Sequence, residues 1–397
     1  MKYILIVPDG MADEPLADLE GKTPMQAART PYMDDLAKKG VVGVVDVTPA
    51  GMYPGSDAAN MSLLGYDPLQ YYTGRGPVEA AAMGISMEDK DVAYRASLIS
   101  TDGETLLDYS AGHITTEEAR PLIEECKRLC SRQQKLFPGV SYRHILLWDD
   151  GPLEVQTHAP HENMGKRLEE ILPAGDRESQ LRRIVWDSIE MLDGHPFNQR
   201  RRDEGKPPAN TIWPWGQGRA PRLPSFFSRR GITGAVISAV DVIKGLGKLT
   251  GLEVVDVPGA TGYFDTDYYA KGRYAINALD RHDFVWVHVE SPDEAGHAGS
   301  VDEKIKAIEQ IDQLVVGTML DGLKKLDDFR MLIVPDHATP VSTRGHKAIP
   351  VPYLLFDSRK TMGRGVIPYD ERAAEERVPH IEEGYRLIDD LFSESAR

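Results

Sequence analysis

The chain has 397 residues, of which 41% are hydrophobic and 27% are charged, and its formal net charge is −16. This length allows two domains, each with a core of its own. Nucleic acid and anionic membranes are poor candidate partners, because both require concentrated Lys and Arg and the chain has no long basic run. An acidic protein that handles an anionic substrate must concentrate positive charge locally, through metal ions and a few basic side chains.

Only two cysteines occur, Cys126 and Cys130, four residues apart in a predicted helix. We interpret them as reduced thiols in a helix core rather than as part of a metal motif, which favours a cytoplasmic protein. The opening MKYILIVPDG lacks the apolar core of a signal peptide. No apolar run approaches the roughly 18 residues of a membrane span, so we expect none.

The first 47 residues predict a strand, a helix and a second strand. Residues 3–8 form a continuous apolar run, which is typical of a strand buried in a parallel sheet. A helix is predicted from Pro31 to Lys39, with Gly40 ending it, and residues 41–47 predict the next strand.

A turn-rich segment, PAGMYPGSDAANMSLLGYDP, predicts a helix that begins at Ser56. The free N–H groups at a helix N-terminus favour an anion. Ser56 is either a simple N-cap or a nucleophile whose hydroxyl a metal ion activates, and the two roles are compatible.

Residues 87–231 predict a separate α+β domain that contains a hairpin at residues 93–109. Further helices are predicted at residues 115–130, 162–172 and 176–192, and strands at residues 141–148 and 153–157. The exit from this domain, NQRRRDEGKPPANTIWPWGQGRAP, contains too many helix and strand breakers for a core element. We expect it to be a linker or a substrate-facing loop.

From Ile232 the alternation of strands and helices returns, with apolar strands predicted at residues 283–290 and 330–335. The first and last parts of the chain therefore predict one discontinuous α/β domain, residues 1–86 and 232–397. The α+β domain is inserted between them.

Acidic and imidazole side chains follow three of the predicted strands. They are Asp9, Asp293, His297, Asp336, His337 and His346. Parallel strands deliver their carboxyl ends to one edge of a sheet, where ligands bind. Oxygen and imidazole donors suit Zn, Mn or Mg. Each residue alone could be a helix cap or a structural histidine, but six at three equivalent positions predict a centre with two divalent metal ions.

Several motifs extend this pattern along the chain. They are VPDGMAD, PGSDAANMSLLGYDP, YTGRGPVEA, HPFNQRRRDEGKPPAN, KGLGKLTGLEVVDVPGATGYFDTD, ESPDEAGHAGS and PDHATPVSTRGHKAIPVPY. Over nearly its whole length the chain resembles the archaeal-type cofactor-independent phosphoglycerate mutases of the alkaline phosphatase superfamily. The resemblance implies an α/β fold, with a mostly parallel sheet flanked by helices and an inserted α+β lid domain. It also implies a glycolytic isomerase that interconverts 3-phosphoglycerate and 2-phosphoglycerate.

The resemblance further implies roles for individual residues. One metal ion would be held by Asp9, Ser56, Asp336 and His337, and the other by Asp293, His297 and His346. Ser56 would carry the phosphoryl group as phosphoserine. Apart from the resemblance, we expect cationic residues to bind the carboxylate and phosphate of a small phosphorylated substrate. The candidates are Arg95, Arg143, His161 and Lys244, although each of these could equally be a surface charge. Self-association of the chain is left open.

One segment departs from the family pattern. Residues 211–218, TIWPWGQG, stand where these mutases usually carry a stretch like LLRGAG. The variant resembles a bacterial subgroup proposed to act as homoserine kinases, and a Trp pair in place of an Arg would suit a less anionic acceptor. A homoserine kinase-like phosphotransferase using the same site is therefore the alternative, although no Walker-type phosphate loop occurs.

Overall fold

The computed structural model describes residues 1–326, 328–360, 367–376 and 378–393. The chain divides into two compact units, Met1–Tyr72 with Leu223–Arg397, and Thr73–Arg222. Residues 73–86, assigned above to the α/β domain, lie in the second unit. The assignment of a catalytic domain with an inserted lid stays a prediction.

The strands of the described residues are numbered in chain order. They are β1 Lys2–Pro8, β2 Val41–Val45, β3 Val92–Thr101, β4 Leu106–Asp108, β5 Gln134–Phe137, β6 Arg143–Trp148, β7 Val155–Gln156, β8 Ala174–Gly175, β9 Thr211–Gly218, β10 Gly234–Ile237, β11 Glu253–Val254, β12 Phe284–Val289, β13 Phe329–Ile333, β14 Val351–Asp357 and β15 His380–Ile381.

The α-helices are numbered in the same way. They are α1 Pro24–Ala27, α2 Pro31–Lys39, α3 Ser56–Leu63, α4 Pro68–Tyr71, α5 Arg75–Ala82, α6 Thr116–Cys126, α7 Leu168–Ile171, α8 Glu178–Leu192, α9 Pro196–Asp203, α10 Phe226–Arg230, α11 Asp241–Leu249, α12 Tyr268–Leu279, α13 Ser291–Ala298, α14 Val301–Gln310, α15 Gly317–Leu323 and α16 Leu387–Phe392. A π-helical segment, Ile311–Val316, joins α14 to α15. Within the described ranges, no helix combines the length and apolar character that crossing a membrane requires.

The first unit contains an eight-stranded sheet in the order β11-β10-β12-β1-β13-β14-β2-β15. The central strand β1 pairs in parallel with both β12 and β13, whereas β14 is antiparallel to both of its neighbours. Ile4, Leu5, Ile6 and Val7 of β1 are fully buried, as the continuous apolar run requires. The predicted mostly parallel sheet flanked by helices is confirmed.

Helices cover both faces of this sheet. On one face, alternate residues of the central strands pack against α2, α12, α14 and α15, as Met33 and Leu36 of α2 illustrate. On the other face, Phe226 stacks on Phe284 with ring centroids 4.8 Å apart, and Phe392 of α16 meets the edge of both rings. Burial of both faces fixes the register of the strands, and with it the positions of the residues that follow them.

The second unit is built on an antiparallel sheet. Its long strand β3 pairs with β4, β6 and β9, and β6 pairs in turn with β5. All ten residues of β3 are buried. The helix predicted over residues 162–172 is much shorter than expected, since only α7 forms there.

The exit segment of this unit is not a linker or loop, so that prediction is wrong. The segment forms α9 and β9, and β9 lies inside the sheet beside β3. Two asparagine side chains form hydrogen bonds with backbone groups in a region whose prolines have no N–H to donate. Asn198 bonds the backbone N–H and C=O of Ala209 at 2.7 and 2.9 Å, and Asn210 bonds those of Thr101 at 3.0 and 2.9 Å. These tertiary contacts hold the segment in regular structure although its prolines and glycines disfavour helices and strands.

Replacing Trp213 of β9 tests this correction. Its indole is fully buried and its N–H donates to the carbonyl oxygen of His158 at 2.8 Å. Trp213→Ala should lower the free energy of unfolding by about 3–5 kcal/mol, because it leaves a large cavity. Trp186, which is 39% exposed, provides the control, and Trp186→Ala should cost less than about 1 kcal/mol. Urea unfolding followed by circular dichroism measures both, and equal losses would contradict a core position for β9.

Candidate metal centre

Asp9 and Asp336 lie after neighbouring strands, β1 and β13. The loop after β1 depends on Gly10, whose φ is +60° and whose Cβ, if present, would lie 2.6 Å from Asp293 Oδ1 and from Thr339 Oγ1. The backbone N–H of Gly10 donates to Asp336 Oδ1 at 3.1 Å. A glycine is therefore required for the two strand-end loops to approach α13.

Lys304 of α14 holds the same two strand-end loops in place. Its ammonium group is fully buried and donates to Asp13 Oδ2 at 2.7 Å, to the carbonyl oxygen of Thr339 at 2.7 Å and to that of Ala12 at 3.3 Å. Asp13 Oδ2 also accepts the backbone N–H of Val341 at 3.1 Å. The buried Lys304 ammonium group, paired with Asp13, thus fixes the backbone of the loops that carry the acidic side chains.

Asp293 and His297 lie one turn apart on α13, so they share one face of that helix. His297 Nε2 is 3.2 Å from Asp293 Oδ2. His346 Nε2 approaches both, at 3.4 Å from Asp293 Oδ1 and 3.1 Å from His297 Nε2. The structure therefore brings the first predicted ligand group together.

Ser56 begins α3, and its hydroxyl oxygen lies 3.2 Å from His337 Nε2. The same nitrogen is 3.3 Å from Asp9 Oδ1 and 3.5 Å from Asp336 Oδ2. Asn60, one turn further along α3, donates from Nδ2 to the carbonyl oxygen of Ser56 at 2.9 Å and to Asp336 Oδ2 at 2.7 Å. The second predicted ligand group is therefore also assembled.

The two groups adjoin each other. The rings of His337 and His346 stack with centroids 3.9 Å apart. Donor atoms of Asp293, His337 and His346 all lie within 4.8 Å of one another. All seven residues predicted to hold metal ions thus converge in the first unit, while their role as ligands stays a prediction.

Buried carboxylates dominate the electrostatics of the centre. Burial, reinforced by the charges of Asp336 and Glu290, raises the pKa of Asp9 well above its ordinary value. Burial also raises the pKa of Asp336, and it raises that of Glu290 to about 8. Like charges desolvated together raise each other's pKa, so the protein alone does not compensate this negative charge, and a divalent cation would.

Asp293 behaves differently because it has imidazole partners. Burial alone would raise its pKa, but His297 and His346 together lower it well below the ordinary value. In turn, Asp293 outweighs burial and raises the pKa of His297 to about 9. Metal binding would require His297 to release its proton, so protons and metal ions would compete for this group.

Two fully buried histidines are kept neutral. Burial, with the nearby charge of His346, lowers the pKa of His337 well below its ordinary value. Burial lowers the pKa of His288 to about 3. A neutral imidazole has a free lone pair, which is the form that binds metal ions.

The donor atoms fit divalent cations in kind and in spacing. Distances between neighbouring donors within the two groups run from 3.1 to 3.5 Å. Ligand atoms held about 2.1 Å from one ion at right angles would lie about 3 Å apart. In the part of the chain that the structure describes, both oxygens of Asp9 are buried without a hydrogen-bond partner. Such orphaned oxygens are what a cation would satisfy.

Sequence reasoning missed two residues of this centre. His288 lies inside β12, and its Nε2 is 3.0 Å from Asp9 Oδ2. The only signal for it was one polar residue within an apolar strand. Asn60 could have been found from its spacing of four residues from Ser56, which places both on one face of a helix.

Two of the three predicted substrate-binding residues of the second unit, Arg95 and His161, pack against Trp215. Arg95 is buried, with Nε 3.0 Å from Glu79 Oε2 and its guanidinium 4.9 Å from the Trp215 ring. His161 meets the edges of Trp215 and Tyr109 at centroid distances of 5.3 and 6.2 Å. Positive charge and aromatic surface thus occur together there.

The remaining two candidates occupy different settings. Arg143, at the start of β6, stacks on Tyr142 with its guanidinium 4.5 Å from the ring. Lys244 of α11 belongs to the first unit, and its Nζ is 3.7 Å from Asp256 Oδ1. Their roles stay predictions.

Comparison with known proteins identifies related sequences. The sequence model described as 2,3-bisphosphoglycerate-independent phosphoglycerate mutase matches residues 37–198. A protein of Geobacter sulfurreducens named a probable 2,3-bisphosphoglycerate-independent phosphoglycerate mutase is 46% identical, with 98% of this chain and 99% of that protein covered. A mutase of the same name, numbered 2, from Methanothermobacter thermautotrophicus is also 46% identical, with 100% and 98% covered.

Solved structures give the same result. The PH0037 protein from Pyrococcus horikoshii matches with a TM-score of 0.82 at 29% identity, covering 100% of this chain and 99% of that one. A cofactor-independent phosphoglycerate mutase from Thermoplasma acidophilum matches with a TM-score of 0.62 at 29% identity, covering 98% and 99%. The chain belongs to the family of 2,3-bisphosphoglycerate-independent phosphoglycerate mutases.

Proposed function

We propose that this protein interconverts 3-phosphoglycerate and 2-phosphoglycerate through a phosphoserine formed at Ser56. The observation that carries the proposal is the convergence of the Ser56 hydroxyl with two groups of acidic and imidazole side chains. One cation would be held by Asp9, Ser56, Asp336 and His337, and the second by Asp293, His297 and His346. Mn, Mg and Zn all suit these donors.

The bound cations would lower the pKa of the Ser56 hydroxyl and neutralise charge on the phosphoryl oxygens. Ser56 is the first residue of α3, whose first backbone N–H groups would attract the phosphoryl anion. Asn60 links the Ser56 backbone to the Asp336 carboxylate. The nucleophile and one acidic group therefore keep a fixed separation.

The reaction comprises two opposite transfers. The Ser56 oxygen loses its proton and bonds to phosphorus, while the bond from phosphorus to the 3-oxygen of glycerate breaks and that oxygen takes up a proton. The glycerate then turns, and its 2-hydroxyl loses a proton and attacks phosphorus. The bond from phosphorus to the Ser56 oxygen breaks, and that oxygen regains a proton. Substrate and product are isomers and no separate phosphoryl donor is consumed, so the reaction is an isomerisation.

Glycerate must stay bound and water must stay excluded while phosphoserine exists, because attack by water would make the enzyme a phosphatase. The second unit is proposed to be the substrate-binding and lid domain, with Arg95, Arg143 and His161 binding carboxylate or phosphate. Lys244 is proposed to add a cation from the first unit. Arg binds both anions bidentately, which supports these assignments.

The tryptophans of β9 do not support the alternative of a homoserine kinase-like phosphotransferase. Trp213 is a core residue. The indole N–H of Trp215 donates to Ser97 Oγ at 2.9 Å, and its ring packs on Arg95 and His161. Both tryptophans thus have packing roles, and the mutase reaction is the one we propose.

A cytoplasmic location is proposed from the cysteines. Burial raises the pKa of the Cys126 thiol to about 12 and raises that of Cys130 above its ordinary value. Both thiols therefore stay protonated and poorly reactive.

Metal binding should stabilise the protein. Adding Mn²⁺ to EDTA-treated protein, at a free concentration 100 times the dissociation constant, should add about 2.7 kcal/mol per site to the free energy of unfolding. Asp293→Asn should reduce this gain, whereas Asp35→Asn should not, because Asp35 is exposed on α2 beside Lys39. Scanning calorimetry measures the effect. A wild-type protein with the same melting temperature in EDTA and in Mn²⁺ would contradict the metal centre.

Removing the Ser56 hydroxyl should abolish the reaction. Ser56→Ala should lower kcat on 3-phosphoglycerate by on the order of 10⁴-fold or more, as loss of a nucleophile does. Ser62→Ala changes a buried serine of the same helix and should keep full activity. Production of 2-phosphoglycerate without added 2,3-bisphosphoglycerate is measured, with mass spectrometry to find the phosphoserine. Mutase activity surviving in Ser56→Ala would overturn the mechanism.

The second unit's contribution can be measured through KM. Arg143→Ala should raise KM for 3-phosphoglycerate by about 10–100-fold, the loss expected for a charged hydrogen bond, and Arg143→Lys should restore only part of it. Arg128→Ala removes a guanidinium whose side chain is 76% exposed and should leave KM unchanged. An unchanged KM in Arg143→Ala would exclude Arg143 from the substrate site.

A further inference from the structure

His288 is a fully buried polar residue in the centre of the main sheet. It lies in β12 opposite Val7 of β1. Its neighbours Val287 and Val289 belong to the apolar core on one face of the sheet, so His288 projects from the other face. Burying an imidazole costs free energy unless both ring nitrogens find partners.

The Nδ1 side of the ring has one such partner and a carboxylate nearby. Ser238 Oγ lies 3.3 Å from Nδ1, and Glu290 Oε2 lies 3.8 Å from it. An Nδ1–H donated to Ser238 Oγ would leave the lone pair on Nε2, and metal-binding histidines commonly donate their other ring N–H to a neighbouring acceptor in this way. Lys271 also donates to the carbonyl oxygen of His288 at 3.2 Å, which holds this end of β12 in place.

The Nε2 side is different. Nε2 is only 3.0 Å from Asp9 Oδ2. Yet within the described residues, neither Nε2 nor either oxygen of Asp9 has a hydrogen-bond partner, since these atoms are close but not aligned as donor and acceptor. Donor atoms of Asp9, His288 and Asp336 all lie within 4.8 Å of one another. Atoms that approach closely without aligning are arranged like ligands directed at a common point.

We propose that His288 Nε2 is a further ligand of the cation held by Asp9 and Asp336. The inference rests on the metal centre of the proposed function and adds to it a residue that lies outside the strand-end motifs. It also bears on metal choice. A second imidazole beside His337 makes this position richer in nitrogen, which favours Mn²⁺ and Zn²⁺ over Mg²⁺.

His288→Asn provides the first test, with His282→Asn as its matched control. His282 precedes the opposite end of the same strand, where its Nε2 lies 2.5 Å from Glu253 Oε2. Calorimetric titration of metal-free protein should show Mn²⁺ and Zn²⁺ affinity at one of the two sites falling at least about 10-fold in His288→Asn, the effect seen on losing even an indirect metal partner. Mg²⁺ affinity should fall less, and His282→Asn should leave all affinities unchanged. Equal losses for the three metals, or none, would overturn the inference.

A second measurement uses the wild-type protein and so does not depend on the variant folding. The chain contains 11 histidines. With ¹⁵N-labelled histidine and saturating Zn²⁺, long-range ¹H–¹⁵N spectra should show metal-bound ring nitrogens in four of them: His288, His297, His337 and His346. If only three histidines give such signals and His288 carries a proton on Nε2, His288 is a hydrogen-bond donor to Asp9. That result would overturn the inference about His288 and leave the proposed metal centre standing. Failure of the wild-type protein to bind any divalent ion would instead contradict the proposed metal centre itself.

Discussion

Three parallel strands that end side by side impose the constraint on which this structure depends. Because β1 lies between β12 and β13, the acidic and imidazole side chains that follow these strands meet at one edge of the sheet, where Asp9, Asp293 and Asp336 are buried. Desolvation then raises the pKa values of Asp9 and Asp336 together. This crowding carries an electrostatic cost at one edge of the sheet, and a bound divalent cation would offset that cost.

The surrounding structure holds these groups in place against their repulsion. Lys304 fastens the loops after β1 and β13, Gly10 lets those loops approach α13, and Asn60 connects α3 to Asp336. Each contact is made by a residue outside the two ligand groups. Such support keeps the donor atoms within a narrow range of separations, which the proposed phosphoryl transfer would require. The contacts that stabilise these loops would therefore also support the proposed chemistry.

Much of the first unit could be predicted from sequence, because apolar runs such as residues 3–8 and the polar residues that follow them carry strong local signals. The exit segment of the second unit could not. Its prolines and glycines indicate a loop, and only the tertiary bonds of Asn198 and Asn210 turn residues 211–218 into a core strand. His288 was missed for a related reason. A single polar residue inside a strand has no spacing pattern, and its significance depends on which side chain the neighbouring strand brings beside it.

The discontinuity of the first unit has a consequence for synthesis on the ribosome. The central strand β1 is made first, yet its partners β12 and β13 begin at Phe284 and Phe329. The second unit, Thr73–Arg222, emerges complete while β1 still lacks both neighbours. Domains generally fold as units during translation, so β1 completes its parallel pairing only after Ile333 of β13 has been synthesised. Assembly of the central sheet is therefore a late step that follows synthesis of the whole second unit.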